Sequence, residues 1–212
     1  MALGNRSGLH TSSDDRVVSL PARVLDDREF VEQVVLGRPA ALRELFDRYA
    51  PILTQLMVRM LGPGTDVDDL VQESLLIVIR RADTVRDPSA FRSFVYSVGV
   101  RVARNEARKL AIRKKWLPWL KDSLQRTTEA HDIVSSDVLR RVYATLDQLS
   151  TDLRVAFVLR FVEERELTEA ARATGCSLAT FKRRVQRARE RFDLLAARDP
   201  ALAEWLAKGA ER

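Results

Sequence analysis

From Asp27 onward the apolar residues of this chain recur at steps of three and four, and nowhere do they alternate at a step of two. A period near 3.6 gathers such residues on one face of a helix, whereas a half-buried strand needs strict alternation. Leu42, Leu45, Phe46, Tyr49, Leu53, Leu56, Met57 and Met60 carry the pattern first. Val67, Leu70, Val71, Leu75 and Val78 carry it next, followed by Phe91, Phe94, Val95, Val98 and Val102. It lapses and then returns at Leu139, Val142, Tyr143, Leu146 and Leu149, and again at Leu153, Phe157, Val158 and Phe161. The chain is therefore expected to be all-α, in two small helical domains joined by a flexible linker.

The punctuation between these stripes sets the boundaries. Residues 1–25 are polar and aperiodic and read as a flexible tail. Asp27 to Leu61 reads as one helical stretch that Pro51 bends without ending, and Gly62-Pro63-Gly64 stops it. Thr65 is positioned to cap the next helix, with Asp68 three residues on. Asp87-Pro88 opens a third, because proline is preorganised for the first helical position. A basic stretch, AIRKKWLPWLK, leads into a weakly periodic linker placed at 113–135. Ser150 and Ser177 are candidate caps for later helices, and Thr174-Gly175-Cys176 separates the last two. The tail 198–212 has room for one or two further amphipathic turns.

Composition removes several classes of function. The longest aliphatic run, Leu75 to Ile79, is far short of the roughly 20 residues of a membrane span, so no stable membrane insertion is expected. The first residues lack the apolar core of a secretory signal, which points to a cytoplasmic protein. A single cysteine, Cys176, and two histidines, His10 and His131, leave no credible metal cage or internal disulfide. No carboxylate–His or Cys–His constellation suggests an enzyme, and no cofactor is called for. Gly62 and Gly64 are not a phosphate loop, since no GK[ST] follows.

The net charge of +6 matters less than its placement. Gly62 to Ile79 contains Asp66, Asp68, Asp69 and Glu73 with no Lys or Arg, whereas Arg101 to Lys121 carries eight basic residues against Glu106 alone. An acidic face for one partner and a basic face for a polyanion follow from that separation.

LTEAARATGCSLATFKRRVQRARERF holds the most specific local pattern: a short helix of small residues, a glycine turn, a serine cap and a longer basic helix. These are the parts of a DNA-binding helix-turn-helix. Leu178, Phe181, Val185, Ala188, Phe192 and Leu195 form a buried seam. Lys182, Arg183, Gln186 and Arg187 share the opposite side, with chemistry suited to guanine and adenine edges in the major groove. Arg184 and Arg189 project sideways, toward phosphates. A solvated basic helix in a structural bundle is the bland alternative, and the agreement of cap, turn, seam and outward face disfavours it.

TDVDDLVQESLLIVIRRAD followed by DPSAFRSFVYSVGVRVARNEARK resembles region 2 of bacterial sigma factors, and more narrowly the extracytoplasmic-function (ECF) group of the sigma-70 class. LGRPAALRELFDRYAPILTQLMVRMLG is similar to that family's opening helix, and VYATLDQLS through RARERF resembles region 4. The resemblance covers about residues 27–197, with region 2 at 26–112 and region 4 at 136–197. It implies a promoter-specificity subunit that binds core RNA polymerase and promoter DNA, with an anti-sigma factor as a candidate further partner.

By the same resemblance, Asp69, Leu70, Gln72 and Glu73 dock on the polymerase. Spacing adds that Asp69, Gln72 and Glu73 share one helix face. Tyr96, Arg101, Arg104, Asn105 and Arg108 are assigned to the −10 element: Arg101 and Asn105 read bases, while Arg104 and Arg108 hold backbone. The region 4 set, Lys182, Arg183, Arg184, Gln186, Arg187 and Arg189, meets the −35 element. This sequence departs from the family where Phe94 replaces a frequent Trp, Arg101 a frequent Asn, and Ala170 and Thr174 larger aliphatics. The last two are expected to shrink the helix-turn-helix core. The competing reading is a sigma-like helix-turn-helix regulator that binds duplex DNA without forming holoenzyme. Trp116 and Trp119 are expected to pack the start of the linker against region 2 or against an anti-sigma protein, and Cys176 to act as a small buried hydrophobe.

Overall fold

The computed structural model describes residues 26–62, 65–116 and 137–210, and every regular element among them is helical. The expected tail 1–25, most of the linker, Pro63-Gly64, both histidines, Trp119 and the Trp116 side chain lie outside what it describes.

The first unit holds four helices: α1 (Asp27–Val35), α2 (Pro39–Leu61), α3 (Asp68–Arg81) and α4 (Phe91–Trp116). Asp26 caps α1 by accepting from the Glu29 N–H at 2.7 Å. The single stretch expected from Asp27 to Leu61 is in fact broken, because Gly37 takes a left-handed φ of 67° between α1 and α2. Pro51 lies inside α2, and that helix ends at Gly62. Thr65 does not cap α3. The helix starts at Asp68 behind Val67, and the Asp66 carboxylate accepts the Asp68 N–H instead. Asp87 caps a short 3-10 turn (Pro88–Ala90) that runs directly into α4. Helix α4 continues four residues past the boundary expected at 112.

Phe91 anchors this unit. It is buried and meets the edges of Phe30 and Tyr49 at ring-centroid distances of 5.8 and 6.0 Å, a favoured aromatic geometry. Gly99 on α4 lets α2 approach closely, since a Cβ there would lie 2.5 Å from a Leu53 methyl.

The second unit contains α5 (Asp137–Leu146), α6 (Thr151–Phe157), α7 (Leu167–Thr174), α8 (Leu178–Ala196) and α9 (Pro200–Ala210). Helix α6 widens into a π turn over Val158–Val162. Ser150 precedes α6 without a side-chain capping bond, whereas Ser177 caps α8 by accepting the Thr180 N–H. Gly175 ends α7 at φ 68°, a left-handed conformation that strains any residue with a Cβ. The C-terminal turns expected after residue 198 form α9, which buries Leu202 and packs on α5 and α8.

The seam of α8 holds at Phe181, Ala188, Phe192 and Leu195, while Leu178 is exposed at its N-terminal end. Leu139 and Phe161 also lie on predicted stripes yet face solvent. Cys176 is half-buried. The two units do not stand apart: α4 packs against α6 and α7, and their buried residues form one continuous apolar cluster.

Candidate nucleic-acid and polymerase interface

Helix α3 buries Leu70, Val71, Ser74, Leu75 and Val78, which turns Asp69, Gln72 and Glu73 outward together. Leu70 is a core residue beneath this face rather than part of its surface. Leu76, half exposed, joins the face three residues beyond Glu73 and was missed in the sequence. It falls off the buried stripe of α3, a signal that was available. The outcome is an acidic, amide-bearing surface with one apolar residue at its C-terminal end, suited to a basic helical partner.

On α8, Lys182, Arg183, Gln186 and Arg187 are all exposed along one side, opposite the buried seam. Gln186 donates to Glu190 at 3.0 Å. Arg189 is exposed, pairs loosely with Asp193 at 3.7 Å and lies over the Phe161 ring. A short helix, a left-handed glycine, a capped second helix and a free basic face together define a helix-turn-helix DNA-binding protein.

The expected −10 residues divide into two groups. Arg101 and Asn105 are exposed on α4. Tyr96, Arg104 and Arg108 instead face the second unit. The Arg104 Nε donates to Asp152 Oδ1 at 2.9 Å, and its Nη1 donates to the Thr174 carbonyl at 2.8 Å. That carbonyl ends α7, where a cation complements the helix dipole. Arg108 reaches the same Oδ1 at 3.4 Å, and Arg184 of α8 donates to Asp152 Oδ2 at 2.8 Å. Tyr96 is buried, with its hydroxyl donating to Glu163 at 3.4 Å and the Arg165 guanidinium 3.9 Å above its ring. Arg59 of α2 closes the cluster by donating to Glu163 at 2.7 Å.

Thr174 fits this junction. Its hydroxyl donates to the Ala170 carbonyl at 2.8 Å, so the polar side chain is satisfied in a position where an aliphatic was expected. Asp152, Glu163, Arg165 and Arg59 were not singled out from sequence. Asp152 sits in the first turn of a helix, where an acidic residue is already explained by the dipole, and no spacing rule links it to Arg104.

Burial pushes the Asp152 carboxyl up, but the Arg104 hydrogen bond and the charges of Arg104, Arg184 and Arg108 outweigh it and hold it below its ordinary value. Burial, then the Glu163 charge, push the Tyr96 hydroxyl well above its ordinary value, so Tyr96 stays a neutral donor. A carboxyl with a lowered folded pKa contributes fully above about pH 4 and loses that contribution as pH falls through the lowered value. The difference in melting temperature between the native chain and Asp152→Asn is therefore expected to stay constant from pH 7 to about 5 and to close below about pH 4. A gap already closed at pH 6 would contradict this assignment.

Among the described residues no helix is long and apolar enough to cross a membrane, and no group of three His, Cys, Asp or Glu side chains is placed to hold a metal ion.

Comparison with known proteins agrees with this geometry. Residues 45–113 match the family model for Sigma-70 region 2, and residues 139–192 match that for Sigma-70, region 4. The chain is 31% identical over 183 residues to the ECF RNA polymerase sigma-E factor of Salmonella typhimurium, covering 80% of this chain and 93% of that one. It is 29% identical over 186 residues to the Haemophilus influenzae protein of the same name, covering 81% and 96%. Among solved structures, CnrH in complex with the cytosolic domain of CnrY superposes with a TM-score of 0.56 at 27% identity, covering 82% of this chain and 98% of that one. The Bartonella quintana sigma factor RpoE, in complex with the anti-sigma factor NepR, shares the fold with a TM-score of 0.53 at 24% identity, covering 74% and 97%. The chain belongs to the ECF group of sigma-70 class RNA polymerase sigma factors, which act in transcription initiation.

Proposed function

We propose that this sigma factor divides its work among three surfaces. The α3 face of Asp69, Gln72, Glu73 and Leu76 docks core RNA polymerase. The α4 residues Tyr96, Arg101, Arg104, Asn105 and Arg108 capture the unstacked −10 strand, where stacking contributes roughly 1–3 kcal/mol per base. Lys182, Arg183, Gln186 and Arg187 read the −35 duplex, with Arg184 and Arg189 on phosphates. The single observation that carries this reading is the exposure of the acidic α3 face and the basic α8 face on opposite chemistries of one chain. RNA synthesis belongs to the core enzyme, and the chain contributes binding alone, in the cytoplasm where polymerase and promoters meet. The sigma factor RpoE solved with the anti-sigma factor NepR supports an anti-sigma protein as a further partner.

Gel filtration of the purified chain with core polymerase tests the docking surface. Native protein is expected to co-elute with core, and separate elution at micromolar concentrations would reject the proposal. On the DNA side, Arg187→Ala is expected to lose about 1–3 kcal/mol of discrimination at one −35 base pair. Binding measured across single-base variants of the duplex would show this as a flattened preference at that position. Equal weakening on every sequence would reassign Arg187 to the backbone.

A further inference from the structure

One carboxylate on α6 holds three arginines that belong to two different DNA-binding surfaces. Arg104 and Arg108 come from the −10 arm and Arg184 from the −35 arm, and all three meet Asp152. A second carboxylate, Glu163, is almost fully buried and holds Arg59 and the Tyr96 hydroxyl. The backbone that delivers it is unusual: a π turn precedes Glu163, and Glu164 follows at a left-handed φ of 52°. Such departures persist where surrounding contacts over-determine them.

Promoter geometry makes this arrangement incompatible with binding. Elements centred near −10 and −35 are about 25 base pairs apart, on the order of 85 Å along a duplex at 3.4 Å per pair. Arg104 and Arg184 lie 2.7 and 2.8 Å from oxygens of the same carboxylate, so the two arms cannot occupy both elements while Asp152 joins them. A carboxylate accepting from several guanidinium groups also offers them what a phosphate would.

We infer that Asp152 and Glu163 form an intramolecular latch that keeps the free sigma factor closed, with Asp152 standing in for a DNA phosphate between the −10 and −35 arms. The inference rests on the assignment of those arms to DNA. The latch reduces the apparent affinity for nucleic acid by the fraction of molecules that are open, and ion pairs at partly exposed positions make it sensitive to salt.

Small-angle X-ray scattering on the full chain, combined with binding of a mixed-sequence single strand of about 12 nucleotides, tests the latch. The Asp152→Asn, Glu163→Gln double variant is expected to show a larger radius of gyration and about tenfold tighter strand binding, as release from a roughly ten-to-one closed population requires. Asp152→Glu, which keeps the charge, is expected to stay closed. Native protein is expected to expand between about 50 mM and 0.5 M salt, a readout that needs no variant. Unchanged dimensions and affinity in the double variant, or native dimensions indifferent to salt, overturn the latch. The two readouts separate the two claims. A double variant that expands without binding the strand more tightly upholds the latch and rejects the assignment of its arms to DNA. A native chain that binds the strand while the double variant keeps its dimensions and affinity does the reverse.

Discussion

Replacing Asp69 and Glu73 together by alanine is expected to abolish promoter-directed transcription while leaving −35 duplex binding unchanged. Both side chains are exposed, both lie on the outer face of α3, and neither touches the buried stripe of that helix. Their loss therefore leaves the first unit folded. Docking of an acidic face on a basic partner desolvates charge, and truncating one side of such a pair costs about 2–5 kcal/mol. At the lower end this is already ~30-fold in affinity. Run-off transcription with limiting sigma factor reads the effect directly, and duplex binding by α8 serves as the internal control. Full transcription by the double variant would move the polymerase contact elsewhere on the chain.

The second large effect is on stability. Phe181 is fully buried where α8 crosses α7, in a cluster whose other members include Ala170 and Ala173. Phe181 is the largest of the fully buried side chains in the second unit. Phe181→Ala is expected to destabilise the second unit by about 3–5 kcal/mol, because the cavity is enclosed by helices that cannot collapse fully into it. A shift of this size corresponds to a fall in melting temperature of roughly 6–20 °C for a chain of this length. Calorimetry or circular dichroism measures it, and duplex binding should fail at temperatures where the native protein still binds. A loss below about 1 kcal/mol would mean that the core is built around other residues.

The helices were legible because their periodicity records which face is buried. The expected stripe of α3 matches its buried set apart from Ser74, that of α4 leaves out the buried Tyr96, Val100 and Ala103, and the outward set Lys182, Arg183, Gln186 and Arg187 follows from the seam opposite. Periodicity does not record whether a neighbour arrives to cover a face. Leu139, Phe161 and Leu178 match the pattern and are nevertheless exposed. Local punctuation failed where two signals competed. Gly37 broke a stretch whose apolar residues continue on either side, and Asp66 rather than Thr65 supplied the bond at the start of α3.

The junction between the units could not be read at all. Arg104 and Asp152 are 48 residues apart, and an ion pair between distant helices leaves no periodic trace. The family resemblance assigned Tyr96, Arg104 and Arg108 to DNA, whereas in the closed chain each has a protein partner. Under the proposed function and the inferred latch, these two placements are one set of side chains with two alternative partners, and Asp152 and Glu163 set the balance between them.

The central claim is that one chain carries a polymerase-docking surface and two promoter-reading surfaces. It is tested most directly by multi-round transcription with purified core polymerase on a library of randomised promoters, sequencing the RNA start sites. The account predicts that adding the protein starts RNA from a subset of templates sharing two separated elements, and that Arg187→Ala relaxes only the upstream one. RNA starts no different from those of core polymerase alone would contradict it.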